Sequence, residues 1–254
     1  MKNRGDLCLN FRKRKNISSR IQKVVAVAKN ILGIDTSRPE TAIGINREVI
    51  TWESRRNQSE ELLPQIAKLL RSVKITKEEI KGVVVNLGPG SFTGLRVGIT
   101  VANGFGFGLR IPVLGVNEFD IIKKFYPKID LIILDAKRNE LFIQKNKNKP
   151  RLIATNNLNR QIKAGDRVYV DDVELIPKIH EQLKKAGTIF IPNLSRTDKM
   201  EAMLDNAKLP KTFKQVLPIY IREANITLRA KRPSLRVQRL SKSATGPAAK
   251  SKKK

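Results

Sequence analysis

Short blocks of β-branched residues alternate with longer stretches in which apolar residues recur every three or four positions. The first kind reads as strand and the second as helix. Ile31–Asp35, Thr41–Ile45 and Glu48–Trp52 are three successive strand blocks, separated by turns at Ser37-Arg38-Pro39 and Asn46-Arg47. A helix follows, predicted to be capped by Ser59, with Glu60 and Glu61 near its positive end. Leu62, Leu63, Ile66, Leu69 and Leu70 form its apolar stripe. Thr76–Ile80 carries a capping-box pattern, and Val83–Val85 is a buried-type strand. A glycine-rich turn and a long helix reaching Leu109 come next, then the strand Val113–Val116. The second half repeats this alternation. It has a helix at Glu118–Phe125, strands at Leu131–Leu134 and Glu140–Gln144, and a loop at Asn146–Pro150. A strand at Val168–Val170, a helix at Glu174–Ala186, a strand at Ile189–Ile191 and a helix at Asp198–Ala207 complete it. Two related α/β lobes are expected.

Composition changes this picture at the ends of the chain. Of its 254 residues, 51 are Lys or Arg and 23 are Asp or Glu, a net charge of +28. Residues 1–29 hold +8 and residues 229–254 hold +10, leaving +10 on 30–228. The expected organisation is a basic N-terminal extension (1–29), a first lobe (30–117), a second lobe (118–228) and a basic tail (229–254). Polyanions are the default electrostatic partners of such a chain. The basic ends alone would suit a nucleic-acid-binding module, though they lack interleaved aromatic residues.

Cys8 and His180 are the only cysteine and histidine. That excludes internal disulfides, multi-cysteine metal sites and two-histidine metal sites within one chain. It favours a reducing, cytoplasmic setting. The most apolar stretch, Val97–Val116, is interrupted by Asn103, Arg110 and Pro112 and holds five glycines, so no membrane span is expected.

The chemistry concentrates in Gly88-Pro89-Gly90-Ser91-Phe92-Thr93-Gly94-Leu95-Arg96, between a strand and the long helix. Ser91 or Thr93 can cap that helix, and free N–H groups at its start can attract an anion. Neither the Walker spacing nor the dinucleotide fingerprint is present. The spacing equally suits a tight strand–helix corner that holds no ligand. Gly94, Gly98 and Ala102 recur every four residues, with Gly104, Gly106 and Gly108 beyond them. Each glycine costs about 0.8–1.0 kcal/mol in a helix relative to alanine. The offsetting benefit is close approach, either by the body's own sheet or by a partner.

Residues 88–116 closely resemble, without a gap, the signature of the TsaB (YeaZ-type) family of tRNA threonylcarbamoyladenosine synthesis. Ile31–Ser37, Ser59–Pro64, Leu134–Glu140 and Pro218–Arg222 resemble further family segments in the right order. The resemblance implies two duplicated lobes of the actin/sugar-kinase/Hsp70-like (ASKHA, RNase H-like) α/β fold with basic terminal extensions. It implies a non-catalytic subunit supporting a TsaD-like paralogue that transfers a threonylcarbamoyl group to adenosine 37 of tRNA. A TsaE-like ATPase and tRNA are the further partners it suggests. The metal-holding His-x-x-x-His helix of TsaD is missing here, and a glycopeptidase reading fails for the same reason.

No cofactor is expected for this chain alone, ATP and Mg²⁺ reaching the complex through the partner. The cofactor candidates are Asp35, Ser91 and Thr93, while Asp35 and Asp135 are expected chiefly to cap turns. Gly94, Arg96, Gly98, Ala102 and Asn103 are the expected partner surface. Asn103 stands where the family has lysine, and Gly106 and Gly108 where it has alanine. The competing enzyme reading is an ATP-binding kinase or hydrolase of the same fold.

Overall fold

The computed structural model describes residues 30–221 apart from 55–56, 172–174, 186–187 and 192. Cys8 and the two basic extensions lie outside the described residues. The first five strand blocks form one sheet: β1 (Ile31–Asp35), β2 (Glu40–Ile45), β3 (Glu48–Glu53), β4 (Gly82–Asn86) and β5 (Val113–Val116). Their order is β3-β2-β1-β4-β5. β1 pairs antiparallel with β2 and parallel with β4, while β2–β3 is antiparallel and β4–β5 parallel.

A second sheet repeats this plan. It uses β6 (Leu131–Asp135), β7 (Glu140–Lys145), β8 (Arg151–Ala154), β9 (Arg167–Val170) and β10 (Ile189–Ile191). Its order, β8-β7-β6-β9-β10, carries the same strand polarities. Two α/β lobes of duplicated ASKHA-like topology result. β8 and the 3₁₀ segment Thr155–Arg160 were not legible in the sequence. β8 is a four-residue edge strand with no clear alternation, and its pairing with β7 is what makes it a strand.

The helices are α1 (Gln58–Ser72), α2 (Phe92–Leu109), α3 (Glu118–Phe125), α4 (Ile176–Lys185) and α5 (Arg196–Asp205). Helix α1 starts two residues earlier than its sequence suggests: Asn57 is the N-cap and Ser59 lies inside the helix. Leu62, Ile66, Leu69 and Leu70 are buried against the first sheet, but Leu63 is exposed. Helix α5 likewise begins at Arg196, two residues before the position its apolar pattern indicates. Ser195 caps it, its Oγ accepting from Asp198 N at 3.1 Å. Among the described residues no helix is long and apolar enough to cross a membrane.

Packing crosses the expected 117/118 boundary. α3, which follows the first sheet in sequence, buries Phe119 and Ile122 with Ile132, Leu134 and Tyr169 of the second sheet. α5, which follows the second sheet, buries Met200, Met203 and Leu204 with Ile31, Ala42 and Val84 of the first. α3, the first helix of the expected second lobe, thus covers that lobe's own sheet, while α5 crosses over, so the first sheet buries this face against a helix from the other half.

Candidate functional site

The glycine-rich turn folds tightly onto the end of β1. Gly88 has φ +102°, a conformation that favours glycine, and its N–H donates to Asn86 Oδ1 at 2.8 Å. Ser91 N donates to Ser37 O at 2.8 Å, and Ser91 Oγ accepts from Gly94 N at 3.2 Å. Ser91 is therefore the cap of α2, while Thr93 lies exposed within the first turn. Two N–H donors at this helix start, those of Ser91 and Gly94, are committed to the chain itself.

The residues of the expected partner surface divide between the inward and outward faces of α2. Gly94, Gly98 and Ala102 are buried on the inward face of α2. A Cβ on Gly94 would overlap Thr36 O, and one on Gly98 would overlap Thr36 Oγ1. This stripe exists so that α2 can lie directly on β1, where Thr36 Oγ1 donates to Gly94 O at 2.7 Å. Asn103 is also engaged internally. Its amide donates to Val216 O at 2.9 Å and accepts from Val216 N at 3.0 Å, pinning the extended segment 210–221 along the helix. Arg96 is exposed; its guanidinium lies 3.9 Å over the Phe92 ring, and Nε donates to Tyr220 Oη at 3.0 Å. The open glycines are others: nothing lies within 4 Å of a Cβ built on Gly104 or Gly108. With Thr93, Arg96, Thr100 and Phe107, itself 77% exposed, they form the outward stripe of α2.

Where the two lobes meet, the structure assembles a buried charge cluster that the sequence reasoning missed. It contains Asp35, Glu118 and Asp171 with Arg38, Arg196 and Lys199. Asp35 Oδ1 accepts from Ser37 N at 2.9 Å, the expected turn cap, and Oδ2 lies 3.1 Å from Arg196 Nη1. Arg196 also donates to Ser37 Oγ at 3.2 Å and to Glu40 O at 3.1 Å. Lys199 Nζ donates to Glu118 Oε1 at 2.7 Å and to Asp171 Oδ1. Arg38 lies 3.1 Å from Asp171 Oδ2. Asn86 links the halves, its amide donating to Glu118 Oε2 at 2.5 Å and to Asp35 Oδ2 at 3.2 Å. Glu118 and Lys199 are essentially inaccessible, at 0% and 1%.

Three carboxylates face three cations, so the cluster is neutral. Burial alone would raise the Asp35 carboxyl, but the Arg196 guanidinium and the hydrogen bonds from Ser37 and Asn86 hold it below its usual range. Burial acts on Asp171 in the same way, and Lys199 and Arg38 outweigh it, drawing its pKa down to about 2. The signal for this site was present in α5. Arg196, Lys199, Met200, Met203 and Leu204 occupy the i, i+3, i+4, i+7, i+8 stripe, so two cations sit on an apolar face and require internal anions.

Phosphate-transferring members of this fold class would place Mg²⁺ and nucleotide between the lobes. The residues present do not fit that group. Asp35, Glu118 and Asp171 are each held by an internal cation, leaving no carboxylate of the cluster free for a divalent ion. In the second lobe Asp135 Oδ1 accepts from Lys137 N at 2.7 Å, and Lys137 Nζ lies 2.6 Å from Oδ2. Lys137, Arg138 and Asn139 take positive φ in a turn without glycine.

Residues 48–222 match the family model described as TsaD, tRNA N6-adenosine threonylcarbamoyltransferase. An uncharacterised protein of Mycobacterium tuberculosis is 36% identical over 120 residues, covering 44% of this chain and 56% of that protein. The tRNA threonylcarbamoyladenosine biosynthesis protein TsaB of Bacillus subtilis is 30% identical over 121 residues, covering 44% of this chain and 52% of that protein. The chain thus spans about half the length of the curated relatives it matches. YeaZ from Pseudomonas aeruginosa superposes with a TM-score of 0.55 at 17% identity, covering 76% of this chain and 99% of that one. At that identity the likeness speaks for the fold.

Proposed function

The chain belongs to the TsaB/YeaZ family, and on that premise we propose that it is a non-catalytic subunit of a tRNA threonylcarbamoyladenosine-forming complex. It pairs with a TsaD-like paralogue that carries the transfer to adenosine 37, in a complex where a TsaE-like ATPase handles ATP. The observation that carries this reading is the neutral cluster between the lobes. Its three carboxylates are held by Arg38, Arg196 and Lys199, which supports a subunit without a metal and nucleotide site of its own. The same observation weighs against a kinase or hydrolase of this fold.

The partner surface we propose is the outward stripe of α2, from Thr93 and Arg96 through Gly104 to Phe107 and Gly108. Gly104 separates its role in pairing from its role in folding. Gly104→Ala should raise stability by about 0.5–1 kcal/mol, because the site is open and alanine is the better helix former. Gly104→Leu should fold equally well and lose pairing, since a branched side chain holds the partner away from the helix backbone. Thermal melts and size-exclusion chromatography with the paralogue read the two effects separately. Undiminished pairing of Gly104→Leu moves the interface elsewhere.

The extensions 1–29 and 229–254 we assign to electrostatic attraction for RNA, outside the lobes proposed at 30–117 and 118–228. Deleting 229–254, which removes ten Lys/Arg and no acid, should weaken tRNA binding at low salt and leave pairing with the paralogue intact. Loss of pairing on deletion would place that segment in the protein interface.

A further inference from the structure

The +10 charge of residues 30–228 is not distributed over both lobes. Residues 123–130 and 145–167 contain ten Lys/Arg and two Asp, a balance of +8, which leaves +2 for all the rest. These two segments meet in space at one end of the second sheet, where β6 and β9 begin and β7 ends. Asp130 N donates to Arg167 O at 3.0 Å, and Asn146 N donates to Asp130 O at 2.8 Å. Lys145 Nζ reaches Gln161 O at 2.6 Å. Each of the two acids is held by one cation, Asp130 by Arg167 at 3.1 Å and Asp166 by Lys145 at 3.0 Å. Eight positive charges remain beyond those two pairs. They lie at the opposite end of β6 and β9 from the buried cluster, which occupies the Asp135 and Asp171 end.

The surface there is concave. A cavity of about 340 Å³ is lined by Lys123, Lys128, Lys147 and Arg167, with Asp130 as its only acid. Lys123 is partly buried in this wall, and burial draws its ammonium below the usual lysine range, with Asp120 one turn back on α3 opposing that shift. A concave surface of one sign focuses potential toward a counter-charged ligand. The ligand's class follows from what the face lacks. The large exposed apolar side chains of the described residues lie at Leu63, Phe92, Phe107, Ile189, Phe190, Leu217 and Tyr220, none of them in these segments. A protein partner is normally anchored by buried aromatic or aliphatic side chains. A phosphodiester backbone needs only spaced cations.

We infer that this end of the second lobe is a binding site for the sugar-phosphate backbone of RNA, with Lys123, Lys128 and Lys147 as its phosphate contacts. The choice of RNA over another phosphodiester polymer rests on the function proposed above. The residues that form the site belong neither to the basic extensions nor to the α2 stripe.

The test uses the full chain, tRNA as the probe, and fluorescence anisotropy at about 50 to about 200 mM salt. The variant is Lys123→Gln/Lys128→Gln/Lys147→Gln. Removing three phosphate contacts should reduce the salt slope by about three and leave the variant at least about 40-fold weaker at low salt, so that the two converge near about 200 mM. Wild-type affinity should then fall roughly 40-fold more than the variant's across that salt range. The matching triple Lys→Arg variant should bind like the wild type, which separates lost charge from altered folding. An unchanged slope in the Gln variant overturns the inference. Wild-type protein that binds poly-aspartate through this face more tightly than tRNA overturns it in favour of an acidic protein. Pairing with the paralogue is scored on the same variants. Its failure in the wild type removes the proposed subunit role and leaves the RNA result standing, and the converse also holds.

Discussion

Lys199→Met is expected to lower the free energy of unfolding by about 3–5 kcal/mol, the cost of leaving buried charge without its counter-ion. Lys199 is 1% exposed and holds both Glu118, at 2.7 Å, and Asp171. Methionine fills much the same space, so little of the loss should come from packing. The residual destabilisation is electrostatic and should be partly recovered by adding Glu118→Gln, which removes the carboxylate left without its cation, Asp171 keeping Arg38. Urea denaturation of the three proteins measures it. A Lys199→Met protein as stable as the wild type would show that the cluster is not neutralised by this ammonium.

The pH dependence has a definite sign. Asp35 and Asp171 have folded-state pKa values below their ordinary range, that of Asp171 about 2. A depressed carboxyl contributes stability that is complete above its unfolded pKa, about 3.9, and is lost as pH falls through the folded value. The wild type should therefore lose stability between about pH 4 and pH 2. In Lys199→Met the Asp171 pKa loses its largest opposing charge and rises. Less stability then remains to be lost in that window, so the acid limb should flatten.

The second large effect concerns Gly98. A Cβ at this position falls well inside contact with Thr36 Oγ1 and lies 3.3 Å from Ile34 Cγ2. Gly98→Ala should cost about 1–3 kcal/mol as an overpacked contact, against the usual gain of alanine in a helix. Gly98→Leu should fail to fold, since α2 cannot lie on β1 with a branched side chain between them. Gly98→Ala with Thr36→Ala should be less destabilised than the sum of the single changes, because the offending hydroxyl is gone. Additive effects in that double-mutant cycle would remove Thr36 as the contact that requires glycine. The contrast with Gly104, about 9 Å of helix rise further along and open to solvent, is the sharpest internal control.

The chain's local patterns determined most of its elements and the class of its fold. Periods of two and of three to four residues are set by backbone geometry, and they are visible wherever a strand or helix has one buried face. The glycine-rich corner was equally legible, because a tight turn from strand to helix needs residues of a particular kind at adjacent positions. What remained open was every question about which neighbour a face meets. The Gly94–Gly98–Ala102 stripe told of close approach without saying to what, and the structure assigns it to β1 of the same chain. β8 became a strand only through β7. The crossing of α5 onto the first sheet is invisible in that helix, since it shows a buried stripe whatever covers it. The charge cluster joins residues from positions 35 to 199, and a cation on an apolar stripe announces a need for an anion without naming it. Identity along the chain thus settled the elements and their class. Tertiary structure decided the pairing of faces and the meeting of charges, because burial and Coulomb energy depend on distance in space.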